Sequence, residues 1–169
     1  LYFNQHAYSS GAGSGGLRED DHAFSCRNGY AMNARHTIIA SFVPFRVATN
    51  YFCGQLESSD WRSVDTRNPR WSDWMSASDG TWFTCPYHRV MIGRERRNTS
   101  MRYQCADIYV GGERHLMPSI DVWSDGLAEI THAHVCKGQD YIGGRWVDVM
   151  AMTGQRSSNE STQYRCSKL

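Results

Sequence analysis

The feature that most constrains this chain is the tripeptide Tyr-x-Cys, which closes three separate segments. The segments read ATNYFC (48–53), SMRYQC (100–105) and STQYRC (161–166). Residues two apart share one face of a β-strand, so each tyrosine is expected on the same face as its cysteine. A closing strand used three times predicts an all-β chain built from repeats.

The cysteines favour disulfide bonds over metal binding. None belongs to a Cys-x-x-Cys pair, and no histidine stands at zinc-finger spacing. Several connectivities are open, and the most economical one joins the two cysteines of each repeat. The predicted pairs are Cys26 with Cys53, Cys85 with Cys105, and Cys136 with Cys166. Disulfides persist in oxidising compartments, so the chain is expected to be secreted.

Each repeat places the same features between its two cysteines. An apolar stretch leads to a small residue beside an arginine, and a polar loop leads to the closing strand. The pairs of small residue and arginine are Ala34 with Arg35, Gly93 with Arg94, and Gly154 with Arg156. The apolar stretches suit short strands, and the small residue fits a bend or a close backbone approach. The prediction is one domain of three pseudo-symmetric β repeats, at about 17–60, 61–115 and 116–169.

The first sixteen residues, LYFNQHAYSSGAGSGG, have a different character. Their start resembles part of a protease-tag remnant, and their end is a Gly/Ser linker. Residues 1–16 are therefore expected to be flexible and outside the repeat domain, which is assigned to 17–169. This interpretation leaves open that an upstream domain was removed.

Over roughly residues 20–169 the repeat resembles the dermatopontin family of extracellular-matrix proteins, whose relatives include invertebrate haemagglutinins. The matching features are an aromatic residue before the opening cysteine (AFSC, WFTC), the small residue with arginine, and the aromatic-x-Cys strand. In place of the family's Asp-Arg-x-Trp signature the chain has ATNY, SMRY and STQY. The resemblance implies a secreted, disulfide-bonded, non-enzymatic module for adhesion or carbohydrate binding.

The composition points away from partners recruited by bulk charge. The net charge is only +1, so neither nucleic-acid binding nor membrane insertion is expected. Sixteen of the 18 cationic residues are arginine. The arginine fork matches the oxygens of carboxylates and sulfates, which favours acidic sugars as ligands.

Arginines are densest in the second repeat, in the stretch RVMIGRERRNTSMR (89–102). Its polar loop is expected at a hairpin tip, where it would bind sulfated or sialylated glycans. The other interpretation is a solvated loop neutralised by neighbours such as Asp107 and Glu113. The candidate ligand-binding arginines are Arg35, Arg94, Arg96, Arg97 and Arg156.

The linkers repeat a Trp-Ser-Asp motif that begins at Trp71 and again at Trp123. Sugar rings stack on indoles while carboxylates hold their hydroxyl groups, so Trp71 with Asp73 and Trp123 with Asp125 are candidate ligand-binding residues. The alternative is that both tryptophans fill equivalent slots between repeats.

Other motifs give weaker signals. His132 and His134 share a strand face but lack an evident third ligand, so neither a metal nor another cofactor is expected. No hydrolase motif is present, and the chain is expected not to be an enzyme. Asn98 and Asn159 begin Asn-x-Ser sequons in equivalent loops, which a eukaryotic secretory pathway would glycosylate and which would otherwise be free to contact a sugar.

These observations predict a secreted lectin-type module that binds cell-surface or matrix glycans, sialylated or sulfated. Such a module also serves as the receptor-binding part of larger proteins and toxins. The alternative is a structural matrix or adhesion protein that binds other proteins. The sequence does not indicate an oligomeric state.

Overall fold

The computed structural model describes residues 1–11, 16–77, 80–128, 130–158 and 161–169. These residues form strands and turns without helix, so the fold is all-β as predicted. In this described part there is accordingly no helix of the length and apolarity that a membrane crossing requires.

The strands of the described residues range from two to thirteen residues. In chain order they are β1 (Tyr2–Ser9), β2 (Leu17–Arg18), β3 (Asp21–Ser25), β4 (Tyr30–Phe42), β5 (Phe45–Glu57), β6 (Val64–Trp71), β7 (Met75–Ser76), β8 (Trp82–Thr84), β9 (Arg89–Arg97), β10 (Ser100–Val110), β11 (Glu113–Arg114), β12 (Asp121–Trp123), β13 (Leu127–Ala128), β14 (His132–Val135), β15 (Gln139–Ile142), β16 (Arg145–Asp148), β17 (Met150–Ser157) and β18 (Ser161–Lys168).

In the described part of the chain these strands form three sheets, and each sheet contains the main hairpin of one repeat. The first hairpin is β4–β5, the second is β9–β10 and the third is β17–β18. A strand that precedes the opening cysteine also pairs with each closing strand: β1 with β5, β6 with β10, and β12 with β18. Every closing strand therefore lies between its hairpin partner and this earlier strand.

The strand that leads into each opening cysteine pairs with a hairpin of another repeat. These leading strands are β3, β8 and β14, and they pair with β9, β17 and β4 respectively. The amide of the opening cysteine continues the exchange: Cys26 N–H donates to Ile92 O at 2.6 Å, and Cys85 N–H donates to Thr153 O at 2.7 Å. Cys136 N–H completes it by donating to Asn33 O at 2.8 Å. The exchange runs from repeat one to two, two to three and three to one, and so closes a ring.

A β-bulge lies at the same place in each hairpin, immediately before the small residue. The register skips Asn33, Ile92 and Thr153. A Cβ atom on Gly93 would lie 2.9 Å from Phe24 O, and one on Gly154 would lie 2.8 Å from Phe83 O. Both carbonyls belong to leading strands, so the predicted close backbone approach is confirmed at the two glycines.

The predicted disulfide pairing is confirmed in all three repeats. The bridges close separations of 27, 20 and 30 residues and have Cα–Cα distances of 5.6 to 5.8 Å. Each bridge ties the end of a leading strand to the closing strand of its own repeat. In the chain-entropy account each contributes about 3 kcal/mol to stability.

The N-terminal segment departs from the sequence-based expectation. Tyr2–Ser9 form β1, which lies between β5 and β16, and Tyr2 and Phe3 are buried in the core. The expectation that residues 1–16 lie outside the fold is therefore wrong for this strand. Tyr2, Phe3 and Tyr8 do not alternate as the apolar residues of a half-buried strand do, so the sequence carried no strand signal here and the likeness to a tag prevailed. Residues 12–15 of the expected linker lie outside the described residues.

The three closing tyrosines form the middle of the core. Tyr51, Tyr103 and Tyr164 are at most 1% exposed. Each ring stacks on a ring two positions before an opening cysteine, with interplanar angles of 8° to 9°. The stacked partners are Phe24 on Tyr51, Phe83 on Tyr103, and His134 on Tyr164. Tyr-x-Cys is thus a core motif, which places the functional candidates elsewhere.

Candidate functional site

Arg35 and Arg94 occupy the inward-facing positions opposite Tyr51 and Tyr103 in their hairpins. Both side chains are 2% exposed, so the expectation that they lie in ligand-binding surface loops is wrong. They share the carboxylate of Glu19: Arg35 Nη2 lies 2.7 Å from Oε2, and Arg94 Nη1 lies 2.9 Å from Oε1. The two arginines hold the repeats together.

Arg94 begins a chain of hydrogen bonds that fixes the protonation of a histidine. Its Nη1 donates to the Tyr51 hydroxyl at 2.6 Å, and that hydroxyl lies 2.9 Å from His22 Nε2. His22 Nδ1 lies 2.7 Å from the carbonyl oxygen of Arg18. A carbonyl only accepts, so Nδ1 carries the proton and Nε2 accepts from the tyrosine. The imidazole is therefore neutral.

The same chain recurs in the third repeat. Arg35 Nη1 donates to the Tyr164 hydroxyl at 2.8 Å, and His132 Nε2 lies 2.6 Å from that hydroxyl. His132 Nδ1 lies 2.7 Å from the carbonyl oxygen of Ala128. Both ring nitrogens are engaged, so His132 is a structural residue.

The second repeat lacks this chain because its residues differ. Thr81 stands where His22 and His132 stand in their repeats, and its hydroxyl donates to the carbonyl oxygen of Ser76 at 2.7 Å. Gln155 faces Tyr164 across the third hairpin, so Gln155 rather than Arg156 is the counterpart of Arg35 and Arg94. The equivalence assigned to Arg156 from the sequence is wrong, because Arg35 and Arg94 directly follow their small residue whereas Arg156 stands two residues after Gly154.

Burial and charge set the pKa values of this centre. Burial, followed by the charge of Arg94, lowers the pKa of His22 to about 4. Burial, followed by Arg35, lowers the pKa of His132 to about 4. Burial opposes ionisation of Glu19, but Arg35 and Arg94 outweigh it and hold its pKa well below the usual range. At neutral pH the carboxylate is charged and both imidazoles are neutral.

His134 does not form a metal site with its neighbours. One nitrogen of His134 and the sulfurs of Cys136 and Cys166 lie within 4.8 Å of one another. The two sulfurs are bonded to each other, so neither is available as a thiolate ligand. The His134 ring instead stacks on Tyr164.

A cleft of about 280 Å³ is lined in part by Glu19, the carboxylate that pairs with the two buried arginines. We call it the basic cleft. Its lining residues are Arg18, Glu19, Asp20, Phe45, Arg46, Val47, Arg96 and Ile130. Arg96 reaches Glu19 Oε1 at 3.1 Å and remains partly exposed, as its predicted surface role requires. The cleft joins a charged floor to an apolar wall.

Arg97 lies at the exposed end of β9, where its charge is already neutralised. Its guanidinium lies 2.6 Å from Asp21 Oδ1 and 2.9 Å from Glu95 Oε2. The neutralising neighbours predicted from the sequence are Asp107 and Glu113. Asp107 pairs instead with Arg89.

Of the two sequons, the first lies in a hairpin turn of the described residues. Asn98 is exposed in the β9–β10 turn and adopts a positive φ of 54°. Asn159 lies outside the described residues.

The serine of the Trp-Ser-Asp motif fastens the linker to the closing tyrosine. In each case the tyrosine N–H donates to the serine Oγ at 2.9 to 3.0 Å, and the serine N–H donates to the tyrosine carbonyl. The pairs are Ser10 with Tyr51, Ser72 with Tyr103, and Ser124 with Tyr164. The sequence reasoning missed Ser10 because no tryptophan precedes it. Asp73 and Asp125 are exposed.

Trp71 belongs to a surface whose charge is satisfied internally. The Arg102 guanidinium lies 4.7 Å from the Trp71 ring centre and 4.5 Å from that of Trp74. Arg102 also lies 2.7 Å from Glu95 Oε1. The guanidinium of Arg102 is therefore occupied by contacts with both indoles and with the carboxylate of Glu95.

Trp123 belongs to a different surface, which joins two predicted residues through one that was missed. Trp123 meets Trp82 edge-on, with ring centres 5.9 Å apart. The Arg156 guanidinium lies 4.4 Å from the Trp82 ring centre, and Trp82 is 62% exposed. The WFTC stretch gave the only sequence signal for Trp82. We call these three residues the tryptophan–arginine surface.

Among the described residues, no acidic side chain forms an ion pair with Arg156 or Arg46. Both guanidinium groups are exposed. An anionic ligand can reach these two cations without displacing any of the described carboxylates.

Comparisons with known proteins identify no family: no family model, curated protein or solved structure matches this chain. The likeness to the dermatopontin family therefore rests on the sequence pattern, and the function is argued from the surfaces described above.

Proposed function

We propose that this chain is a glycan-binding module whose main site is the tryptophan–arginine surface. The observation that carries the proposal is an exposed indole, Trp82, with the guanidinium of Arg156 over its ring; this guanidinium has no acidic partner among the described residues. Indole faces stack on the C–H faces of sugar rings, and the arginine fork binds carboxylates and sulfates. The expected ligand is an acidic sugar, either sialylated or sulfated.

The Trp71–Trp74 surface is a weaker candidate for a physical reason. Arg102 lies between the two indoles and bonds to Glu95, so a ligand would have to displace existing contacts. Arg156 has no such competitor among the described residues. This contrast supplies a matched control.

The proposal includes secretion. Three intramolecular disulfides are consistent with a non-cytoplasmic protein. Secretion places the module where cell-surface and matrix glycans are encountered, and it also suits the receptor-binding part of a larger protein or toxin.

The test is a glycan array that contains sialylated and sulfated ligands, probed with the wild type and with Trp82→Ala and Arg156→Ala. We expect selective binding by the wild type and a loss of about tenfold or more in each variant, because stacking and charge are removed separately. Trp74→Ala is the control and should bind like the wild type. A blank array from folded, oxidised protein would overturn the proposal, and so would equal binding by Trp82→Ala.

A second candidate function is a structural adhesion module that binds another protein. It is favoured by the apolar turn of the first hairpin, where Phe42, Val43 and Phe45 are 75%, 91% and 56% exposed. Contiguous exposed apolar residues mark interaction surfaces. Cell adhesion that resists free sugar but is lost in Phe42→Ser/Val43→Ser would favour this function over the lectin.

A further inference from the structure

The buried centre of the protein contains more positive than negative charge. Arg35, Arg94 and Arg96 all bond to the single carboxylate of Glu19. Three guanidinium groups thus share one negative charge, which leaves an excess of two positive charges. Like charges held this close in a partly desolvated site repel each other unless an anion compensates them.

Neighbouring groups among the described residues do not supply that anion. Asp20 lies in solvent and pairs with Arg18 at 3.0 Å. The hydroxyl groups and imidazoles that complete the network are neutral and only distribute the charge. Arg94 Nε is buried and has no hydrogen-bond partner among the described residues. The described part of the chain therefore leaves the centre short of negative charge.

The basic cleft gives a ligand access to this centre. Glu19 and Arg96 form part of its wall, and Arg18 and Arg46 stand beside them. The remaining wall is apolar and consists of Phe45, Val47 and Ile130. A volume of about 280 Å³ is at the small end of the range for ligand pockets, which suits one ring rather than an extended chain.

We propose that the basic cleft is a second binding site, which takes the carboxylate or sulfate group of a small monoanionic ligand with an apolar face. Arg46 and Arg96 hold the oxyanion, and Phe45 contacts the apolar face. The cleft volume of about 280 Å³ admits one ring with one oxyanion group, so a small monoanion fits and an extended polyanion does not. This site does not depend on the tryptophan–arginine surface.

The test uses glucuronate as the probe, with glucose as its neutral counterpart, at constant ionic strength. Calorimetric titration is made in the Trp82→Ala background, so that the proposed glycan site is already disabled. We expect glucuronate to bind and glucose not to bind, and Arg46→Ala to weaken glucuronate binding about tenfold. Arg46 is exposed and has no acidic partner in the described part of the chain, so its removal should leave the melting temperature unchanged.

Arg70→Ala removes another exposed arginine and is the matched control. If Arg70→Ala and Arg46→Ala weaken glucuronate binding equally, the effect comes from the overall positive charge of the protein and the proposed site is overturned. Absence of glucuronate binding in the Trp82→Ala background would also overturn it. Binding only to anionic lipid vesicles, lost in Phe42→Ser/Val43→Ser, would assign the cleft to a membrane surface and contradict the small-ligand proposal. Array binding by Arg46→Ala remains a separate test of the glycan function.

Discussion

Arg94 is held by groups from different parts of the chain. Its guanidinium bonds to Glu19 before β3 and to Tyr51 on β5, while its own backbone belongs to β9. Removal of one member of a buried ion pair leaves its partner charged and desolvated, which costs more than the pair contributes. These hydrogen bonds therefore connect the second repeat to the first through the side chain of one residue.

Arg94→Ala is expected to destabilise the protein by about 3 to 5 kcal/mol, because Glu19 and the Tyr51 hydroxyl lose a buried donor. Arg97→Ala is the matched comparison. Arg97 is half exposed, and its loss should change the free energy of unfolding by about 0.5 kcal/mol or less. Urea denaturation at neutral pH measures both. Equal effects of the two substitutions would contradict the structural role of Arg94.

Stability should fall as the pH is lowered from about 6.5 to about 4. The ordinary histidine pKa is 6.5, whereas His22 and His132 have pKa values of about 4 in the fold. Between those values the unfolded chain binds protons that the folded chain does not, so the free energy of unfolding rises with pH. After allowance for solvent screening, each histidine accounts for about 2 kcal/mol of this change.

The check is denaturation at a series of pH values with His22→Gln/His132→Gln. Glutamine keeps a donor and an acceptor but does not titrate, so the slope between pH 4 and 6.5 should largely disappear. Below that window Glu19 becomes protonated, and stability falls further in both proteins. An unchanged slope in the double variant would show that other groups titrate.

At the scale of elements, the leading strands determine where glycine is required. β3 pairs with the second hairpin beside Gly93, and β8 pairs with the third beside Gly154. In both places a carbonyl oxygen of the leading strand would lie within 2.9 Å of a Cβ added to the glycine. The first hairpin has Ala34 at this place and pairs with β14. The bulge and the small residue therefore together allow the leading strand of another repeat to pair closely with the hairpin.

Gly93→Ala is expected to cost about 1 to 3 kcal/mol, because the new methyl group forces β3 away from β9. Gly126→Ala is the control, since its added Cβ would meet Ser161 at an ordinary 3.4 Å. Thermal denaturation compares the two variants with the wild type. If Gly93→Ala is as stable as Gly126→Ala, the leading strand is not held as tightly as the structure indicates.

Part of this arrangement could be predicted from the sequence. The closing tyrosines, the disulfide pairs and the small residue beside the bulge follow from local pattern and spacing. The direction in which a side chain points does not, because a bulge reverses the alternation along a strand. That reversal buries Arg94, and Gln155 rather than Arg156 holds the inward position of the third hairpin. Strand exchange between repeats was also hidden, because the hydrogen bonds of β3 run through its backbone.

At the scale of the whole molecule, closure depends on contacts that no repeat makes alone. Each leading strand lies on another hairpin, while its cysteine is bonded to its own closing strand. β1 adds a further closure, because it pairs with β5 of the first repeat and with β16 of the third. The chain is therefore one cooperative unit rather than three linked modules.

Deletion of residues 1–9 separates this account from the alternative that the segment is a tag remnant. The structure predicts a loss of several kcal/mol, because Tyr2 and Phe3 are buried and each is worth about 1.5 to 3 kcal/mol. The edges of β5 and β16 would also be uncovered. Gln5→Ala, at an exposed position of β1, should leave the free energy of unfolding unchanged.

A tag remnant would give full stability in the deleted chain, with the same urea midpoint as the wild type. Since the deletion keeps Ser10 and its bonds to Tyr51, a lower midpoint would be due to β1 itself.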